Sequence, residues 1–138
     1  MHTLTLTEIF AAPPARVFSA WTEASMLQRW FAPGDMKVAE ATADPRPGGR
    51  YRIVMENADG AQHIVGGEYR DVVANERLSF SFKWEHGQDV TLVELTFKPT
   101  GAGATEMTLV HTQFTTPENR DRHRQGWSGC LAKLRTLF

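Results

Sequence analysis

Two histidines and three tryptophans are the residues of this chain whose chemistry and spacing invite a functional reading. His111 and Gln113 continue the apolar parity of their strand: Met107, Leu109, His111 and Gln113 share one face, against Glu106, Thr108, Val110 and Thr112 on the other. His123 stands four residues before Trp127, on the helical face that continues through Leu131, Leu134 and Phe138. Both imidazoles are therefore expected near a common interior. An unperturbed histidine titrates near pH ~6.5, so either could move a proton or hydrogen-bond a ligand. The plainer alternative for each is structural: a neutral core histidine with one partner for His111, a rim residue for His123. Trp30, Trp84 and Trp127 could wall a site for a flat ligand, since each indole brings a large apolar area and one N–H. They could equally be core.

Other chemistries find less support. Cys130 is the one cysteine. It has Lys133 a helical turn away, which would favour a thiolate, but a buried thiol is the ordinary state of such a residue. It cannot form an internal disulfide. His63, His86, His111 and His123 show no zinc-binding spacing such as H-E-x-x-H, so no metal and no cofactor is expected. Gly101-Ala102-Gly103 resembles a phosphate loop only superficially, because no helix follows to present its N–H groups. There is no G-x-S-x-G nucleophile motif. No carboxylate can be placed inside beside the histidines, which weighs against an enzyme.

The elements that must position these residues follow from periodicity. Residues 3–10 alternate as a strand. Pro13-Pro14 stop it and open a helix carrying Val17, Phe18 and Trp21. Thr22 is a plausible N-cap for a second short helix ending near Trp30-Phe31, broken by Pro33-Gly34. From 36 to 114 the period is two, and turn signals divide the stretch into about six strands. Asp44-Pro45-Arg46-Pro47-Gly48-Gly49 either shapes a pocket mouth or merely turns the chain. Asp59-Gly60 reads as a two-residue type I′ hairpin turn. Leu78, Phe80, Phe82 and Trp84 share a face, as do Val93, Leu95 and Phe97. Thr116-Pro117-Glu118 starts a long C-terminal helix. Gly126 and Gly129 weaken that helix by about 1 kcal/mol each against alanine; Gly126, beside Trp127, suggests a close approach or a kink. An antiparallel sheet with one wet face needs a cover, and only the C-terminal helix is long enough to provide it.

Composition bounds the rest. The 138 residues are 41% hydrophobic and 22% charged, with 15 Lys+Arg against 16 Asp+Glu. That is a globular balance and the size of one domain, 1–138. There is no basic excess for nucleic acid. No apolar run approaches the roughly 20 residues of a membrane span, and the first residues lack signal-peptide character, so a cytoplasmic protein is expected.

The residues also carry a resemblance. Ala12–Thr22, Leu27–Pro33, Asp44–Tyr51, Gly67–Arg70, Glu76–Leu78, Thr105–His111 and Gly126-Trp127 occur in the order of the START-like (SRPBCC) superfamily. Within it the chain is similar to the heat-shock ATPase-activator-homologue (AHSA-type) small bacterial proteins. The resemblance implies an α+β helix-grip fold (START-like, Bet v 1-like). In that fold a curved antiparallel sheet of about seven strands wraps a long C-terminal helix, two short helices follow the first strand, and a cavity lies between sheet and helix. It does not imply an activity, since the family spans small-molecule binders, resistance and stress-response proteins, and relatives of aromatic polyketide cyclases.

The expectation is a carrier, sensor or resistance protein whose cavity binds a small hydrophobic molecule, aromatic ones included, through Trp30, Phe80, Trp84, Leu95, His111, His123 and Trp127. A cyclase, dehydratase or hydrolase using His111 is the first alternative. A chaperone-related interaction module is the second, with Leu92 and Val110 on the outward parity as a patch or a homodimer seam.

Overall fold

A computed structural model describes residues 1–138. Strand β1 (His2–Phe10) leads into two short helices, α1 (Pro14–Thr22) and α2 (Ala24–Trp30). Six strands follow: β2 (Lys37–Ala43), β3 (Arg50–Glu56), β4 (Gln62–Val73), β5 (Arg77–Trp84), β6 (Thr91–Thr100) and β7 (Ala104–Phe114). Helix α3 (Pro117–Arg135) closes the chain. The strands form one antiparallel sheet in the order β1-β7-β6-β5-β4-β3-β2. Strands β2 to β7 are therefore a meander of hairpins, and β1 joins its far edge.

Each boundary has a local cause. Pro14 opens α1 in the first turn, where its missing N–H costs nothing. Thr22 does not cap α2; it is the last residue of α1, and its hydroxyl donates back to the Phe18 carbonyl (3.0 Å). Glu23 occupies the cap position instead, with extended backbone and no side-chain capping bond. Thr116 caps α3, accepting from the Asn119 N–H (3.1 Å), with Pro117 and Glu118 in the first turn. Phe138 lies beyond the helix end and packs edge-on against Phe10.

The Asp59-Gly60 turn differs from the two-residue type I′ form. Gly60 has φ +87°, but Asp59 is not in the left-handed region. The Gly60 N–H donates to Asn57 and the Asn57 N–H to Ala61. This is a three-residue loop, a type I turn completed by a left-handed glycine.

Alternation places the core as expected along β5 and β6: Leu78, Phe80, Phe82, Val93, Leu95 and Phe97 are all buried. In β7 it holds through Met107, Leu109 and His111 and then fails. Gln113 takes φ +73° and is exposed, while Phe114 turns fully inside. The partner register slips at the same place, from Leu4↔His111 to His2↔Phe114. A bulge inserts one residue and exchanges the faces beyond it. Further register shifts lie between β2 and β3 and between β4 and β5. Such bulges add bend and twist, and the sheet curls around α3.

Helix α3 lies against β1, β7 and α2. Its cover of the concave face is thus one-sided. Over β3, β4 and the end of β5 the sheet and helix part, and a cavity opens there. No helix is long and apolar enough to cross a membrane.

Candidate functional site

The cavity holds about 480 Å³, within the 300–1,000 Å³ usual for small-molecule sites. Its walls come from five places. Phe31 and Pro33 follow α2, Met55 sits on β3, His63 on β4, and Phe82 and Trp84 on β5. The fifth wall is α3, which contributes Asn119, Arg122, His123, Gly126, Trp127 and Cys130. Those positions fall at i, i+3, i+4, i+7, i+8 and i+11, a single stripe of the helix. A second, more polar chamber of about 380 Å³ adjoins it, reaching Gln88, Asp89, Thr91, Thr115 and Thr116. Phe82, Trp84, Asn119, Arg122 and His123 border both chambers.

Between them stands a hydrogen bond from Trp84 Nε1–H to His123 Nε2 (2.9 Å). The other ring nitrogen, Nδ1, lies 2.7 Å from the Asn119 carbonyl, which can only accept. His123 is thereby assigned the neutral Nδ1–H tautomer. Burial lowers its pKa, the Asn119 carbonyl opposes that, and nearby Arg122 reinforces it.

His111 repeats this arrangement one layer deeper. Its Nδ1 accepts from Trp127 Nε1–H (3.0 Å), and its Nε2 lies 2.7 Å from Thr91 Oγ1. The Thr91 hydroxyl donates to the Phe82 carbonyl (3.1 Å), so Nε2 carries the proton that bonds to Thr91. The chain of donors runs Trp127, His111, Thr91, Phe82, and ends on backbone. His111 is fully buried, and burial, with a smaller push from His123, lowers its pKa to about 3. A base must offer a free lone pair to its substrate; that of His111 is occupied by Trp127.

Of the seven residues expected to line the cavity, Trp84, His123 and Trp127 do so. Four do not. Trp30 is packed against Trp21 and Phe31, and its N–H is spent on the Ala20 carbonyl (2.9 Å). Phe80 lies with Tyr51 and Tyr69 in a closed part of the core. Leu95 is fully buried core, and His111 stands behind Trp127 and Phe82. Strand parity correctly put Phe80, Leu95 and His111 inside. It could not say which interior positions face the gap and which face other side chains.

Sequence reasoning missed Phe31, Pro33, Met55, His63, Phe82, Asn119, Arg122, Gly126 and Cys130. For the α3 residues a signal existed, since Asn119, Arg122 and Gly126 share the stripe of His123 and Trp127. Their polarity or smallness made them read as solvent-facing or as a packing glycine. Gly126 is not a close-approach residue: a Cβ there would meet nothing within 4 Å. The close approach is at Gly129, where a Cβ would lie 3.2–3.3 Å from Pro33 and Gly34.

The remaining expectations also find places. Cys130 is buried, and burial pushes its thiol up to about 12 against the opposing pull of Lys133. The Lys133 ammonium donates to the Met36 carbonyl (2.8 Å). The Asp44–Gly49 segment borders neither chamber. It turns the chain between β2 and β3, tied to β4 by Gly48 N–H to Tyr69 O and Tyr69 N–H to Gly49 O. Gly101-Ala102-Gly103 is a hairpin loop joining β6 to β7. Leu92 and Val110 are half-buried on the outer face. No group of three or more His, Cys, Asp or Glu residues is arranged to hold a metal ion.

Known proteins share this architecture. A protein from Chromobacterium violaceum is 26% identical, with a TM-score of 0.87 over 99% of this chain and 97% of its own. The AHSA1 protein from Silicibacter pomeroyi is 25% identical, with a TM-score of 0.88 over 98% and 96%. An HSP90 activator from Plasmodium falciparum shares the fold at 20% identity, with a TM-score of 0.76 over 99% and 96%. No curated protein matches the chain. The model of the family described as "Activator of Hsp90 ATPase homolog 1-like protein" matches residues 11–138. The curled seven-stranded sheet, the one-sided cover by α3 and this match lead to one conclusion: the chain belongs to the Activator of Hsp90 ATPase homolog 1-like family.

Proposed function

We propose that this protein binds a small hydrophobic, aromatic molecule in the cavity between sheet and α3, as a carrier, sensor or resistance protein. The observation that carries this is the unfilled space itself. Phe31, Met55, Phe82, Trp84 and Trp127 surround about 480 Å³ that no side chain occupies, and this space opens to solvent past the exposed Arg122 and His63. A ligand burying about 200 Å² of apolar surface there would gain roughly 5 kcal/mol, at ~25 cal/mol per Å².

Neither alternative has comparable support. A proton-transfer role for His111 conflicts with its occupied nitrogens and lowered pKa. A role as an Hsp90 activator is suggested by the family description and by the Plasmodium protein's name. The exposed large hydrophobics, however, are Met1, Ile9 and Val90, scattered at the N-terminus, on β1 and in the loop before β6. They form no evident docking patch.

The test is thermal unfolding combined with tryptophan fluorescence against flavonoids, polyketide aromatics, fatty acids and steroids. A ligand at 100 times its Kd should add about 2.7 kcal/mol. That raises the midpoint by several degrees for a domain of this size. Trp84 and Trp127, both in the wall, should change in emission. A flat midpoint and unchanged emission across the panel would overturn the proposal.

A further inference from the structure

The wall of the cavity holds a cation as well as apolar surface. No Asp or Glu lines it, whereas Arg122 of α3 stands exposed at its rim; His63 of β4, also at the rim, has its Nε2 against the Asn57 side-chain amide (3.3 Å). Arg122 takes part in none of the ion pairs of the molecule. Its neighbour Asp121 is paired with Arg120. Asp89, the one carboxylate bordering the adjoining chamber, accepts from the Thr115 hydroxyl (3.4 Å). The side-chain hydrogen bond of Arg122 is a long one to Asn119 Oδ1 (3.4 Å), on the same wall. A guanidinium has five N–H donors in a planar fork matched to a carboxylate, so most of this fork is free at the edge of an apolar chamber. His123 cannot serve in its place, since both its nitrogens are engaged.

Below Arg122 the helix presents a flat floor. Arg122, Gly126 and Cys130 stand four residues apart, one above the other on the same face. At 1.5 Å per residue the row is about 12 Å long, the length of a two-ring ligand with one substituent. Gly126 keeps the middle of the row open, since a Cβ there would project into empty space. A glycine in a helix interior costs about 1 kcal/mol against alanine, and nothing packed against Gly126 requires it. Room for a ligand supplies a reason for the glycine that packing does not.

We propose that the cavity selects organic anions: an aromatic carboxylic acid whose ring lies over Gly126 and whose carboxylate is held by the Arg122 guanidinium. This rests on the cavity-binding function proposed above and names the chemical class of its ligand. Gly126 then sets the thickness of ring admitted, and Arg122 sets the charge.

The experiment compares 2-naphthoate with its uncharged analogue 2-naphthamide, by calorimetry and tryptophan quenching at pH 7.5 and low salt. Wild type should bind the acid about tenfold more tightly, the worth of one charge-assisted contact. In Arg122→Gln the ratio of the two affinities should collapse toward one, and Arg122→Lys should restore part of it. Gly126→Leu should block both compounds while unfolding cooperatively. Equal or tighter binding of the amide to wild type would overturn the anion preference and leave cavity binding standing. A ratio unchanged in Arg122→Gln would overturn the role of Arg122. Binding of neither compound at millimolar concentration would overturn the aromatic-acid ligand, while cavity binding itself stands or falls on the wider panel above.

Discussion

The two histidines of the interior are neutralised by the same device. Each accepts a tryptophan N–H at one nitrogen and donates from the other. Buried polar groups are costly unless partnered, and here no buried side-chain nitrogen or oxygen lacks a partner. The indole N–H depends on the imidazole as much as the imidazole depends on it, so removing one strands the other. Trp127→Phe keeps much of the ring volume but deprives His111 Nδ1 of its donor. It should destabilise the protein by about 1–3 kcal/mol, read from the urea midpoint. A loss no greater than that of an exposed Trp→Phe change would mean that water replaces the indole there. That His111 points inward was legible from the parity of β7. That its lone pair faces Trp127 was not, because one partner lies on a helix 16 residues away and the other on a different strand.

Within α3 two glycines that look alike in the sequence do opposite things. Gly129 lets the helix approach Pro33 and Gly34, and a Cβ there meets atoms at 3.2–3.3 Å. Gly126 faces open space. Gly126→Ala should therefore stabilise the protein, by up to about 1 kcal/mol of helix propensity. Gly129→Ala should gain less or lose stability, since Pro33 must shift. Paired thermal melts decide this, and equal gains at both positions would refute the distinction. In β4, Gly67 has a similar structural duty: a Cβ there would collide with the Ser81 carbonyl of β5. Spacing revealed that α3 is amphipathic and that Trp127 and Leu131 face in. It did not reveal that the stripe from Asn119 to Cys130 borders a gap, because a helix face has no record of what stands opposite it.

For the molecule as a whole, the neutral histidines make stability depend on pH. An unfolded chain binds a proton at His111 below about pH 6.5, whereas the folded one resists until about pH 3. The unfolded state thus holds more protons in that window, and stability falls as pH drops. It should be level above pH 7, begin to fall near 6.5, and decline by up to ~1.4 kcal/mol per pH unit for each such group. His123, shifted in the same direction, adds to the slope. Urea unfolding from pH 7.5 to 4.5 measures the slope, and His111→Gln should flatten it. An unchanged slope in that variant would assign the acid sensitivity to other groups.

Residue spacing and turn chemistry were enough for the order of elements, the antiparallel hairpins, the inward parity of β5 and β6 and the amphipathic α3, together with the family resemblance that the match over residues 11–138 bears out. These are local properties: period, turn residues and caps act over a few positions. Tertiary structure decided the rest. The bulge at Gln113 exchanged faces that alternation alone would have carried on. The seating of α3 against β1, β7 and α2 placed the gap over β3 to β5. That offset separates Phe80, Leu95, Trp30 and His111, which fill the core, from Trp84, His123 and Trp127, which line the cavity. A core and a cavity wall demand the same apolar residues, and they differ only in whether another side chain arrives from the opposite side.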